Sequence, residues 1–91
     1  MPSPKIVVRK PTPLEIRQAS AWGTWEKEPS SFDWSYGEKE TCLILEGKAS
    51  VVSKDGSTSA TFGPGDWVEF PSGLKCTWNV EQTIRKKYKF G

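Results

Sequence analysis

The chain has 91 residues, enough for one domain spanning 1–91 with a modest core. A net charge of +2 gives no electrostatic footprint for nucleic acid, and no apolar run reaches the length of a membrane span. Histidine is absent, which removes the commonest general base, the commonest metal ligand and every Ser-His-Asp or Cys-His arrangement within one chain.

In chain order, Ile6–Arg9 is β-branched and reads as an edge strand stopped by Pro11 and Pro13. Thr12-Pro13-Leu14-Glu15 has the form of a capping box with proline at the first helical position, so a short helical turn is expected from Pro13 to about Gln18. Thr24–Lys27 and the aromatic stretch Phe32–Tyr36 should be extended. Glu40–Glu46 and Lys48–Ser53 read as two strands separated by Gly47. Asp55-Gly56 favours a two-residue hairpin, with Thr58–Phe62 returning. After the Gly63–Asp66 turn come Trp67–Phe70, Lys75–Val80 and Ile84–Phe90. Short strands at regular spacing with Gly and Pro between them indicate an all-β antiparallel sandwich or barrel.

Cys42 and Cys76 are too few for a disulfide framework and read as free thiols in a reducing compartment, with a single bridge between them left open. Met1–Lys10 lacks the apolar core and cleavage site of a signal peptide, so the expected location is the cytoplasm or an organelle interior.

Strand alternation assigns faces. Glu40, Cys42 and Ile44 share one parity, as do Cys76, Trp78 and Val80. Ile84, Lys86, Tyr88 and Phe90 share another. If the apolar members face inward, Glu40 and Lys86 are ionisable groups aimed at an apolar interior. A bulge near Lys86 would reverse that.

Two segments keep the spacing of the cupin motifs. Trp34-x-Tyr36, three residues, Glu40, six residues and Gly47 matches the first. Gly65, five residues, Pro71-x-Gly73, two residues, Cys76, three residues and Val80 matches the second. The chain thus resembles a small single-domain cupin, an RmlC-like antiparallel jelly-roll β-barrel, over nearly its whole length. Trp22–Glu26, Glu40–Cys42 and Gly73–Cys76 look like the cupins related to ureidoglycine aminohydrolase. In cupins two histidines and a glutamate of the first motif, with a histidine of the second, bind a divalent metal. The matching positions here are Trp34, Tyr36, Glu40 and Cys76, of which only the glutamate is kept. The resemblance therefore implies the fold and a lost metal site, and no cofactor is expected.

Three readings follow. In the first, the barrel mouth binds a small molecule through Trp34, Tyr36, Glu40, Cys42, Cys76, Trp78 and Lys86, with aromatic faces and a carboxylate suited to a planar or cationic ligand. In the second, the chain is an enzyme, hydrolase- or isomerase-like, on a small nitrogenous or carbonyl compound. There Glu40 is acid or base and Cys76 a ligand or nucleophile. In the third, the barrel is filled, Cys42 and Cys76 are buried small hydrophobes, and an outer face carrying Trp67 makes a homodimer. Arg85, Lys87 and Lys89 read as the solvated face of a last strand that blunts a sheet edge, with no nucleic-acid or membrane partner expected.

Overall fold

The computed structural model describes residues 5–91. Residues 1–4, within the stretch read above for a signal peptide, lie outside it. Strand β1 (Val7–Arg9) is followed by helix α1 (Pro13–Ala19), β2 (Gly23–Lys27), β3 (Ser30–Ser35), β4 (Glu40–Ser53), β5 (Ser59–Phe62), β6 (Trp67–Phe70) and β7 (Lys75–Phe90). All strand pairs are antiparallel.

The spine is the β4–β7 pair. Its two halves pair Glu40–Ile44 with Lys86–Phe90 and Ala49–Ser53 with Cys76–Val80. The expected pairs of short strands are thus two long ones, bent in the middle. Register shifts between Ile44 and Ala49, one with the extra residue on β4 and two with it on β7, mark bulges on both strands, and bulges bend the strands that carry them. Gly47 sits at the bend with φ 89°. A Cβ there would run into the Thr83 carbonyl oxygen and lie 2.7 Å from the Ile84 Cα. Only glycine takes this backbone shape at this approach.

On one side of the bend the order is β1-β6-β4-β7-β2; on the other β5 flanks β4 and β3 flanks β7. Both halves turn their inward faces onto one core, which joins Ile44, Val68, Phe70 and Ile84 from the first to Val51, Phe62, Trp78 and Val80 from the second. The expected all-β antiparallel jelly roll is present, and the hydrogen-bonded path is open, because β1 and β2 end it without pairing. β7 is central, paired with β4 on one edge and with β2 and β3 on the other. Arg85, Lys87 and Lys89 therefore do not blunt a sheet edge, contrary to the sequence expectation.

Helix α1 forms as its capping box requires. The Thr12 hydroxyl accepts the Glu15 N–H at 3.2 Å and the Glu15 carboxylate accepts the Thr12 N–H at 2.9 Å. The Arg9 guanidinium also donates to both Glu15 oxygens, at 2.8 and 2.6 Å. The segment covers Trp67, which packs with Ala19, Leu43 and Trp22 and is only 4% exposed. Trp67 does point away from the main core, but its own chain buries it, so the expected exposed dimer face at Trp67 is not there.

Arg9 hydrogen bonding, followed by the Thr12 N–H, holds the Glu15 carboxyl down at about 2, from an ordinary 4.5. A carboxyl lowered on folding contributes stability that is present above pH 4.5 and is lost as the pH falls through about 2. Denaturant unfolding across that window should show the wild type losing more stability than Glu15→Gln; equal slopes would exclude this role. No described helix is long and apolar enough to cross a membrane.

Candidate functional site

A cleft of about 200 Å³ opens between the two halves of the sheet. Trp25 of β2, Phe32 and Trp34 of β3, Tyr36, Glu40 of β4, and Trp78, Lys86, Tyr88 and Phe90 of β7 line it. The β2–β7 register sets Trp25 directly opposite Lys86, and the β3–β7 register sets Phe32 opposite Trp78. Alternation then turns these side chains to one face. Trp34 and Phe90, 49% and 45% exposed, stand at the rim.

The base of the cleft holds a buried ion pair. Lys86 Nζ donates to Glu40 Oε2 at 2.9 Å, with the two residues 4% and 3% exposed. The extra residues of β7 fall between Arg85 and Val80, outside the regular run from Lys86 to Phe90, so Lys86 keeps the inward parity of Ile84. The ammonium also lies 4.8 Å from the Trp25 ring centre, 4.7 Å from Trp78 and 5.8 Å from Phe70. A buried charge needs such compensation, and desolvated cation–π contacts contribute about 2 kcal/mol. The cage suited to a cation thus already holds one belonging to the chain. Glu40 Oε1 is buried without a hydrogen-bond partner among the described residues. Tyr36 accepts the Trp78 indole N–H at 3.3 Å. Burial, then the Glu40 carboxylate, drives its phenol far above the ordinary value and keeps it protonated.

The cysteines lie apart from this cleft. Both are free, fully buried and absent from its lining. Cys42 Sγ donates to the Val68 carbonyl and Cys76 Sγ to the Trp34 carbonyl, each at 3.6 Å. Burial pushes the Cys42 thiol up to about 12 and the Cys76 thiol up to about 11. A thiol protonated at neutral pH is a poor nucleophile and a poor ligand, so the structure does not favour the sequence reading of Cys42 and Cys76 as site residues. Iodoacetamide should leave both intact in the native protein and alkylate both in urea. Native alkylation at the rate of an unfolded-state thiol would contradict this.

Trp25, Phe32, Tyr88 and Phe90 join the site beyond the sequence reading. For three of them the signal was present: Phe32 shares parity with Trp34 and Tyr36, and Tyr88 and Phe90 with Lys86. Trp25 needed the pairing of β2 with β7, which no local pattern supplies.

A family model described as an EutQ-like cupin domain matches residues 14–88. The chain belongs to the EutQ-like cupin family. A DUF861 family protein from Thermotoga maritima is 43% identical, with a TM-score of 0.89, the match covering 94% of this chain and 99% of that one. A DUF861 family protein of unknown function from Pseudomonas syringae is 27% identical over 76% of this chain and 29% of that one, with a TM-score of 0.66. The EutQ protein of Clostridium difficile, 18% identical over 93% of this chain and 66% of that one, has a TM-score of 0.67 and shares the fold. No curated protein matches the chain. These likenesses establish the cupin family and not the ureidoglycine aminohydrolase subgroup.

The divalent metal that cupins hold at these positions does not fit the residues present. At the four matching positions stand an indole without a free lone pair, a protonated phenol, a carboxylate already bonded to an ammonium, and a protonated thiol. The Lys86 cation, 2.9 Å from the one retained carboxylate, would repel a second cation there. Among the described residues no three His, Cys, Asp or Glu side chains come together as a ligand set.

Proposed function

We propose that this cupin binds a small, planar, mostly apolar molecule in the cleft, with Trp34, Tyr36, Trp78, Glu40 and Lys86 as its principal contacts. The observation that supports it is the cleft itself: aromatic walls around a single buried polar pair, the composition of small-molecule sites. Its volume of about 200 Å³ lies below the ~300–1,000 Å³ of drug-sized sites, so the ligand is small. The ion pair is neutral as a whole, and its ammonium already fills the cation-binding rings, which favours an uncharged ligand over a cationic one. Glu40 Oε1 is an acceptor that an N–H or O–H of the ligand can use.

Benzyl alcohol is a suitable probe. It should quench tryptophan fluorescence saturably, and Trp34→Ala, at the exposed rim, should weaken its binding by up to about tenfold. Absence of saturable quenching, or an effect unmoved by Trp34→Ala, would count against the reading.

A further inference from the structure

We propose that Lys86 captures carbonyl compounds, its amine forming an imine with a small uncharged aldehyde or ketone held in the cleft. This rests on the reading of the cleft as the binding site and goes beyond it to an activity.

Lys86 is the only buried lysine among the described residues, and its side chain lines the cleft. An amine in an apolar pocket, with a base in hydrogen-bond reach, is the arrangement that nucleophilic amine chemistry uses. Glu40 Oε2, 2.9 Å away, is that base. Neither thiol lines the cleft, and the Tyr36 hydroxyl there accepts the Trp78 N–H, so Lys86 is the one cleft amine with a carboxylate beside it to take its proton. Lys86 is therefore the nucleophile that this cleft offers.

The step balances within the pair. Glu40 takes one proton from Nζ, and the freed lone pair forms the N–C bond to the carbonyl carbon. The C=O π pair moves to oxygen, which receives the proton held by Glu40. Glu40 then takes a second proton from nitrogen and passes it to the hydroxyl, which leaves as water as the C=N bond forms. One ammonium and one carbonyl become one protonated imine and one water, and Glu40 returns as carboxylate. The charge at nitrogen is the same before and after. The Trp25, Trp78 and Phe70 rings that hold the ammonium thus also hold the iminium. No metal, oxidant or reductant enters. An uncharged carbonyl compound is the fitting class because any added charge would be buried unpaired.

Benzaldehyde with cyanoborohydride as the trapping reagent tests this, with the modified lysine located by peptide mass mapping. Lys86 should be alkylated at least about tenfold faster than the exposed Lys54 or Lys75. Glu40→Gln should slow the Lys86 reaction by about a hundredfold, well beyond any weakening of benzyl alcohol binding from the changed acceptor. Glu40→Leu combined with Lys86→Met should fold and show no fast site. Labelling spread over the exposed lysines, with benzyl alcohol still bound, overturns the inference and leaves the binding reading standing. Spread labelling without benzyl alcohol binding overturns both.

Discussion

Lys86→Met should lower the unfolding free energy by about 3–5 kcal/mol, and adding Glu40→Leu to the same chain should recover most of that loss. The pair is buried on both sides, 4% and 3% exposed, with the ammonium enclosed by three rings. Removing Lys86 alone strands a carboxylate that already has one unpartnered oxygen. Removing both leaves an apolar site that Met and Leu can fill. Buried ion pairs commonly behave this way: breaking one is costly, replacing both partners is nearly neutral. Denaturant midpoints of the two chains measure it. A single change costing under ~1 kcal/mol would mean that water reaches the pair and that the interior is not as apolar as its lining indicates.

Gly47→Ala should be the most damaging glycine substitution, costing more than ~4 kcal/mol or preventing folding altogether. Two penalties meet there. The positive φ of 89° disfavours any side chain, and the new Cβ would collide with backbone of β7 at Thr83 and Ile84. Backbone of the central strand cannot move aside without disturbing the β4 and β2 pairings. Gly37→Ala, with nothing within 4 Å of the added Cβ and no positive φ, is the control and should change stability by less than ~0.5 kcal/mol. Equal midpoints for the two variants would remove the bend at Gly47 from the account of the fold. Domains of this kind have only about 5–15 kcal/mol in hand, so the first loss is close to unfolding.

Much of this architecture is legible in the residues. Alternation alone turns Glu40 and Lys86 inward, and the capping box at Thr12–Glu15 starts the helix. Gly47 is visible as punctuation, but local pattern cannot tell a turn between two strands from a bend within one. That distinction lies in the partner: β7 bulges together with β4 at the bend and pairs with both halves of it. The same limit explains Trp67 and β7. The parity of Trp67 is right, yet its burial depends on helix α1 crossing the outer face. The basic residues of β7 look like edge protection only until β2 and β3 are known to pair with it. In the site, Trp34, Tyr36, Trp78, Glu40 and Lys86 come together, whereas Cys42 and Cys76 do not reach the cleft. Both cysteines have inward parity, but inward residues of a small sandwich divide between core and cleft according to depth. Depth is a tertiary quantity that period-two patterning does not carry.

With the aromatic cleft as the ligand site, the five indole N–H signals of the chain report binding directly. Trp25, Trp34 and Trp78 line the cleft, while Trp22 and Trp67 pack together on the outer face with ring centres 5.4 Å apart. In a nitrogen–proton correlation spectrum titrated with benzyl alcohol, the first three signals should shift together and saturate while the other two stay in place. Movement of Trp22 and Trp67 instead, or uniform small drifts of all five without saturation, would contradict the account.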